Sequence, residues 1–328
     1  MRAFIELSGE HPTLPRAEAL AVLDAERVDV RAASFGPHLL RIDAIGPVER
    51  AIRRLGLAHF VCEELASGDF DAIRGYARGA DLQGRTFRVR AHGLGIEVDP
   101  PALEGPLGAD FGRTGQVDLD FPAMDYRLLV GDEFLLGRVI HRVDRARLEA
   151  TKVAHRPFSL PISLHPKFAR ALVNLARVPM AGTVLDPFCG TGGILLEAAA
   201  LGLRPIGFDR DRRMVLGSRA SLRQATADGG FAIADAGRLP LRHASVHGVA
   251  TDPPYGRAAS TRGERPERLY ERTFRAIRDL LSSGTHVALV LPNESMIDLA
   301  SDFLELVEVH ALRVHRSLVR HFCVFVMR

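Results

Sequence analysis

The sequence predicts an α/β chain whose C-terminal half is a doubly wound parallel sheet, with smaller α/β domains in front of it. Three observations predict this. From Pro161 onward, short apolar strands alternate with helix-length segments, the pattern of βαβ units. Two of those strands, Val184-Leu185-Asp186 and Ala250-Thr251-Asp252, end in an acid followed by a turn rich in glycine or proline. Residues 1–65 follow a different order: strand, helix, strand, strand, helix, strand.

The first strands lie near Ala3–Leu7, Val28–Ala33, Leu39–Ala44 and Ala58–Leu65, with helices near Arg16–Arg27 and Val48–Leu55. Gly36-Pro37 punctuates the central hairpin and Gly46-Pro47 precedes the second helix. This is the order of a ferredoxin-like split βαβ unit, placed at 1–65. A second α/β segment, 66–142, opens with helix Phe70–Arg78 and strand Thr86–His92, where Phe87, Val89 and Ala91 alternate. A Gly/Pro-rich stretch with Pro100, Pro101, Gly105, Pro106 and Gly108 leads to strands Val117–Leu119, Tyr126–Val130 and Glu133–His141. Residues 143–160 read as a linker. The last domain, 161–328, begins with helix Pro166–Arg177. Its strands follow at Thr183–Asp186, Pro205–Asp209, Phe231–Ala234, Val246–Asp252 and Thr285–Leu291, and a strand pair closes it at Val307–His315 and His321–Met327.

A length of 328 residues suits two or three domains, and 47% hydrophobic residues exclude general disorder. The net charge of +3 averages two unlike parts. Residues 1–150 carry 19 basic and 24 acidic side chains, a net −5, and residues 151–328 carry 24 and 16, a net +8. Only Lys152 and Lys167 among the 43 basic residues are lysines. Codon bias is the simplest cause; the suitability of guanidinium for phosphate and base contacts is the functional one. Cys62, Cys189 and Cys323 are too widely spaced for a disulfide framework or a zinc site. No signal-peptide core or run of eighteen apolar residues is found. A cytoplasmic, metal-free monomer is therefore expected, with an accessory subunit left open.

The first chemical motif is Asp186-Pro187-Phe188-Cys189-Gly190-Thr191-Gly192-Gly193, between a strand and a helix. Glycines allow positive φ and close approach of a ligand to the backbone. Open α/β sheets bind ligands where such a strand ends. The next strand ends in Asp209, placed to accept both hydroxyls of a ribose. A dinucleotide site calls for G-x-G-x-x-G without an acid inside it. The acid here suits the ammonium of methionine and would repel a pyrophosphate, so S-adenosylmethionine is the better ligand. Asp235, after the third strand, is placed for the adenine amine, or else as a helix N-cap.

The second motif is Asp252-Pro253-Pro254-Tyr255-Gly256. The Asp252 carboxylate can accept one N–H of an exocyclic amine. The two prolines stiffen the turn and remove donors, so that a carbonyl accepts the other N–H. Tyr255 offers a face for stacking a base taken out of its helix. An aromatic amine is a poor nucleophile. Two acceptors favour its pyramidal form, and a carboxylate stabilises the charge developing on nitrogen. The pair of motifs predicts methylation of such an amine, with catalytic residues Asp252, Pro253, Pro254 and Tyr255. The motif also serves the N6 amine of adenine.

The D-P-F-C-G-T-G and D-P-P-Y pair resembles the Rossmann-fold methyltransferases that modify exocyclic amines. The whole chain resembles the archaeal and eukaryotic tRNA guanine N2-methyltransferases that carry a THUMP domain, the tRNA guanosine-10 branch. The whole-chain resemblance rests on Phe4–Glu10, on Arg156-Pro157-Phe158 with Ser163, His165-Pro166-Lys167 and Ala169-Arg170, on the Asp186 loop, on Thr251–Gly256 and on Arg313–Arg320; the Arg-Pro-Phe block and Arg313–Arg320 point to the branch. It implies a ferredoxin-like domain (1–65), a THUMP domain (66–142), a linker (143–160) and the methyltransferase domain (161–328). It also implies tRNA as partner, with the THUMP part on the acceptor end, and a flipped guanine closed in by Tyr255. Ser163 and His165 either cap a helix or line the cofactor pocket, as the resemblance implies. Methylation of another guanosine in tRNA or ribosomal RNA, N6 methylation of adenine, and a non-catalytic RNA-binding module are the alternatives. The number of methyl groups added is open.

RNA contacts are expected from a small patch of Arg85, Arg88 and Arg90 with Arg74 and Arg78, since an RNA-gripping face must be basic despite the net −5. Arg257, after the D-P-P-Y turn, and Arg313, Arg316 and Arg320, near the C-terminal hairpin, are further candidates for phosphate contact. Cys189 has no adjacent base and is not expected to act as a catalytic thiol.

Overall fold

The computed structural model describes residues 1–150, 163–255, 264–315 and 318–328. Among these, the strands form two sheets, and the chain divides into two compact units. The first is Met1–Pro12, Arg27–Arg53 and Ala58–Val143; the second is Thr13–Glu26, Arg54–Leu57 and Asp144–Arg328.

In the first unit β1 (Arg2–Leu7) leads out to α1 (Leu14–Ala25), which belongs to the second. The chain returns through β2 (Asp29–Gly36), β3 (Leu39–Ile45), α2 (Val48–Ile52) and β4 (Ala58–Gly68). It continues through α3 (Phe70–Gly79), β5 (Thr86–Gly93), α4 (Pro100–Phe111), β6 (Gln116–Val117), β7 (Met124–Val130) and β8 (Phe134–Arg142). The strand order is β2-β3-β1-β4-β8-β7-β5-β6. β1 pairs antiparallel with β3 and β4, the arrangement of a split βαβ unit.

The expected division at residue 65 falls inside β4, whose residues Cys62–Gly68 pair with β8. Phe4 and Cys62 also share one apolar cluster with Leu129 and Leu135. One continuous sheet spans both segments, because β4 pairs with β1 on one edge and with β8 on the other. The Gly/Pro-rich stretch forms the helix α4. Pro100 and Pro101 occupy its first turn, where the missing N–H costs nothing. Leu107 and Phe111 are fully buried, and Phe111 stacks on Tyr126 with ring centroids 4.6 Å apart.

The second unit contains α1, α5 (Arg145–Ala150), α6 (Pro166–Leu175), β9 (Thr183–Asp186), α7 (Gly193–Ala200) and β10 (Arg204–Asp209). Next come α8 (Arg212–Gln224), β11 (Gly230–Ile233), β12 (Gly248–Thr251), α9 (Pro266–Leu280) and β13 (His286–Leu291). α10 (Glu294–Ser301), β14 (Glu305–His315) and β15 (Leu318–Val326) complete it. The sheet order is β11-β10-β9-β12-β13-β15-β14, with the first five strands parallel and β15 and β14 antiparallel at one edge. β9 and β12 are buried at every position, as parallel strands covered on both faces must be. The strand order reverses between them, so the crevice at their carboxyl ends is the fold's natural ligand site.

α1 belongs to this unit for a physical reason. Leu14, Ala17 and Ala21 join Leu57, Leu172 and Leu175 in one core. A buried polar network lies beside it. Glu18 accepts N–H bonds from Gly56 and Leu57 (2.9 and 2.8 Å) and from the Asn174 amide (2.8 Å). Arg54 donates to Glu26 and to the Val178 carbonyl, both at 2.9 Å. Burial pushes the Glu18 carboxyl up to about 7, against the pull of those donors and of Arg170. Breaking a buried ion pair from one side costs about 3–5 kcal/mol. Arg54→Ala in the intact chain should therefore lower the urea midpoint for the second unit correspondingly; a loss below about 1 kcal/mol would contradict this network's role.

Candidate active site

Four strand ends bring the acids expected from the sequence to one edge of the second sheet. Asp186 ends β9, Asp209 ends β10, Asp235 follows β11 and Asp252 follows β12. The loop after β9 is shaped by its own backbone and by α8. Gly192 N–H donates to the Cys189 carbonyl at 2.7 Å, and Ser218 Oγ donates to the Gly190 carbonyl at 2.6 Å. Gly192 has φ +80°, and a Cβ there would lie 3.0 Å from the Ser218 Cβ. Glycine is thus required by both conformation and space. Gly193 then begins α7, and Phe188 packs against the core beneath the sheet.

Asp186 is buried. Its Oδ1 accepts from Thr251 Oγ1 at 2.5 Å and from the Phe188 N–H at 3.0 Å, while Oδ2 has no partner among the described residues. Burial pushes this carboxyl up to about 7; the Thr251 and Phe188 bonds oppose that, and the charges of Asp252 and Asp209 add to it. Asp209 is held by the N–H groups of Gly190 (3.1 Å) and Asp211 (2.8 Å). Ser163 Oγ shares a hydrogen bond with Thr191 Oγ1 at 2.9 Å, so it meets the loop. His165 is the N-cap of α6 and sits 3.2 Å from Glu149. Asp235 accepts from the Gly237 N–H and pairs with Arg272 and Arg210. Burial works against its charge, but these partners hold its carboxyl below the usual carboxylate range.

At the second motif, Asp252 Oδ1 is buried with no partner among the described residues. Burial pushes its carboxyl up to about 7, against the pull of the Arg320 charge and a hydrogen bond from Tyr255. Tyr255 accepts from Arg320 Nε at 2.6 Å, and burial is the main reason its hydroxyl is pushed up to about 12. Pro253 is buried, and the Pro254 carbonyl accepts from the Tyr270 hydroxyl at 3.4 Å. Cys189 is buried, and burial raises its thiol far above its ordinary value.

Sequence reasoning missed three residues. Thr251 joins the two motifs, Tyr270 supports the Pro254 turn and Arg272 holds Asp235. Tyr270 was visible only as part of the apolar face of α9 with Phe274 and Ile277. Among the described residues, no group of three His, Cys, Asp or Glu is placed to hold a metal ion, and no helix is long and apolar enough to cross a membrane.

The sheet of the first unit changes the meaning of its arginines. Arg88 forms a two-bond pair with Asp125 (2.9 and 2.6 Å) and donates to the Leu119 carbonyl. Arg90 pairs with Glu104 at 3.0 Å and Arg74 with Asp110 at 2.7 Å. Each of these charges is balanced within the unit, whereas Arg85 is exposed. Arg257 and Arg316 lie outside the described residues.

Residues 154–321 match the family described as UPF0020: RMKL-like, methyltransferase domain. A tRNA (guanine(10)-N2)-dimethyltransferase of Methanothermobacter thermautotrophicus is 36% identical over 98% of this chain and 98% of its own length. The chain belongs to this methyltransferase family. A second relative with that name, from Pyrococcus abyssi, is 30% identical over 99% of both chains. The crystal structure of TrmN from Thermus thermophilus shares the fold, with a TM-score of 0.58 and 24% identity over the whole of both chains.

Arg88→Glu sets a carboxylate against Asp125 and should destabilise the first unit by about 1–3 kcal/mol. Arg85→Glu should leave its thermal midpoint unchanged. Equal midpoints for the two variants would contradict the assigned pairing.

Proposed function

We propose that the protein transfers methyl groups from S-adenosylmethionine to the exocyclic N2 of guanosine in tRNA, at position 10, adding one methyl or two. The observation that carries this reading is a pair of orphaned acceptors. Asp186 Oδ2 and Asp252 Oδ1 are both buried and unpartnered among the described residues, at the ends of adjacent parallel strands. An ammonium group and an exocyclic amine are the complements they lack. The two relatives named above, similar along their whole length, support tRNA and position 10.

In this reading the loop Phe188, Gly190, Thr191, Gly192 and Gly193 cradles the cofactor. Asp186 takes its ammonium, Asp209 its ribose hydroxyls and Asp235 its adenine amine, shared with Arg272. Ser163 lines the pocket through Thr191, and His165 orients α6 beside it. S-adenosylmethionine supplies an electrophilic methyl on a sulfonium centre. Asp252 Oδ1 accepts one amine N–H and the Pro253 carbonyl the other, which turns the nitrogen lone pair out of the ring plane. Tyr255 stacks on the extruded guanine and Pro254 stiffens the turn. A carboxyl poised near 7 is suited to take the proton that nitrogen sheds as its new bond to carbon forms. Residues 66–142 act as the THUMP part, within the continuous sheet of the first unit. Arg85, Arg257 and Arg316 contact tRNA phosphates, and the protein works as a cytoplasmic monomer.

Asp252→Ala should abolish methyl transfer to tRNA while the dissociation constant for S-adenosylmethionine stays within about twofold. An active variant would refute the mechanism. Nucleoside analysis should return N2-methylguanosine or its dimethyl form; N6-methyladenosine, or no methylation, would overturn the assignment. Asp186 and Asp252 titrate near 7 and must be ionised to act. Cofactor affinity and kcat/KM for tRNA should therefore both fall as pH drops below about 7. The loss of affinity is read by calorimetry, and a flat profile between pH 6 and 8 would falsify it.

A further inference from the structure

The position of Arg320 is set by register. β15 runs antiparallel to β13 and its last pair with that strand is His321 with Leu291. Arg320 therefore lies one residue past the carboxyl end of β13, on the edge where Asp252 leaves β12. Its Nε donates to the Tyr255 hydroxyl at 2.6 Å, and that hydroxyl hydrogen-bonds to Asp252.

The polarity of this chain follows from donor chemistry. A guanidinium has donors and no acceptor. Tyr255 Oη must accept from Arg320, so its single proton points to the Asp252 carboxylate. Asp252 Oδ1 is left as the unpartnered acceptor. The guanidinium carbon stands 6.0 Å from the centroid of the Tyr255 ring, at the outer limit of a cation–π contact. Arg320 thus grips the hydroxyl edge and does not stack closely on the ring face.

We propose that Arg320 is a positioning residue for methyl transfer, which fixes the Asp252 carboxylate and the Tyr255 ring through the Tyr255 hydroxyl. This rests on the methyltransferase reading above. It assigns Arg320 to the reacting amine and not to an RNA phosphate. Arg320 never touches the amine itself. Its charge pulls directly on Asp252 and its hydrogen bond acts through the Tyr255 hydroxyl, so the effects of removing Arg320 and removing that hydroxyl should overlap.

The test is a double-mutant cycle on the intact protein, with Arg320→Ala, Tyr255→Phe and the double variant. Single-turnover methylation and tRNA binding are measured for each. Arg320→Ala and Tyr255→Phe should each lower the single-turnover rate by about tenfold or more, with tRNA affinity within about twofold. The double variant should be no slower than the worse single, because both changes break the same chain. A phosphate contact behaves differently. Arg320→Ala would then weaken tRNA binding, reduce the slope of log K against log salt by about 1, and multiply with the effect of Tyr255→Phe. That result, or an unchanged rate in Arg320→Ala, overturns the proposal. Tyr255→Phe keeps the ring and is the second route to the answer if Arg320→Ala does not fold. Wild-type protein that leaves tRNA unmethylated would instead refute the functional reading, so the two failures are distinguishable.

Discussion

The hydrogen bond from Thr251 to Asp186 is the contact on which the site depends. It is buried, it joins residues 65 positions apart, and it crosses the strand boundary where the sheet reverses its order. A parallel sheet brings the ends of β9 and β12 together by backbone pairing, but pairing alone leaves the loop after each strand free to choose its direction. The Thr251 hydroxyl ties the carboxylate that begins one loop to the residue before the other. It also satisfies one oxygen of Asp186, while the other has no partner among the described residues.

Charge distinguishes the carboxylates gathered at this crevice. Asp186 is pushed up by burial and, to a lesser degree, by Asp252 and Asp209. Groups of like sign at a low-dielectric crevice favour whatever relieves them, either a proton or a cation. Arg320 relieves Asp252 from one side while leaving Oδ1 unpartnered. Asp235 differs, because Arg272 and Arg210 already balance it. The fold thus grades four carboxylates, all at strand ends, by the partners that reach them.

The second unit is not simply the C-terminal part of the chain. α1 and Arg54–Leu57, from the N-terminal part, supply Glu18, Arg54 and apolar side chains to its core. Arg170 and Glu197, 2.8 Å apart, carry the polar network on from α6 to α7, the helix that starts at the glycine loop. The chain therefore passes between the two units five times.

Much of this was legible in the sequence. The alternation of strand and helix, the acid at each strand end and the glycine loop are local patterns with local causes, so composition and spacing reveal them. The expected strand order of β1 to β4 follows from the same logic. Tertiary structure decided everything that depends on a partner distant in sequence. β4 is long enough to pair on both edges, which joins the two N-terminal segments in one sheet. Pro100 and Pro101 open a helix because Leu107 and Phe111 have a core to enter. Arg88 and Arg90 read as a basic patch until the sheet sets Asp125 and Glu104 beside them. Arg320 reads as one of several surface arginines until the register of β15 places it against Tyr255. A side chain's type is written in the sequence, but which donor meets which acceptor is a property of strand register and packing. No local pattern contains that.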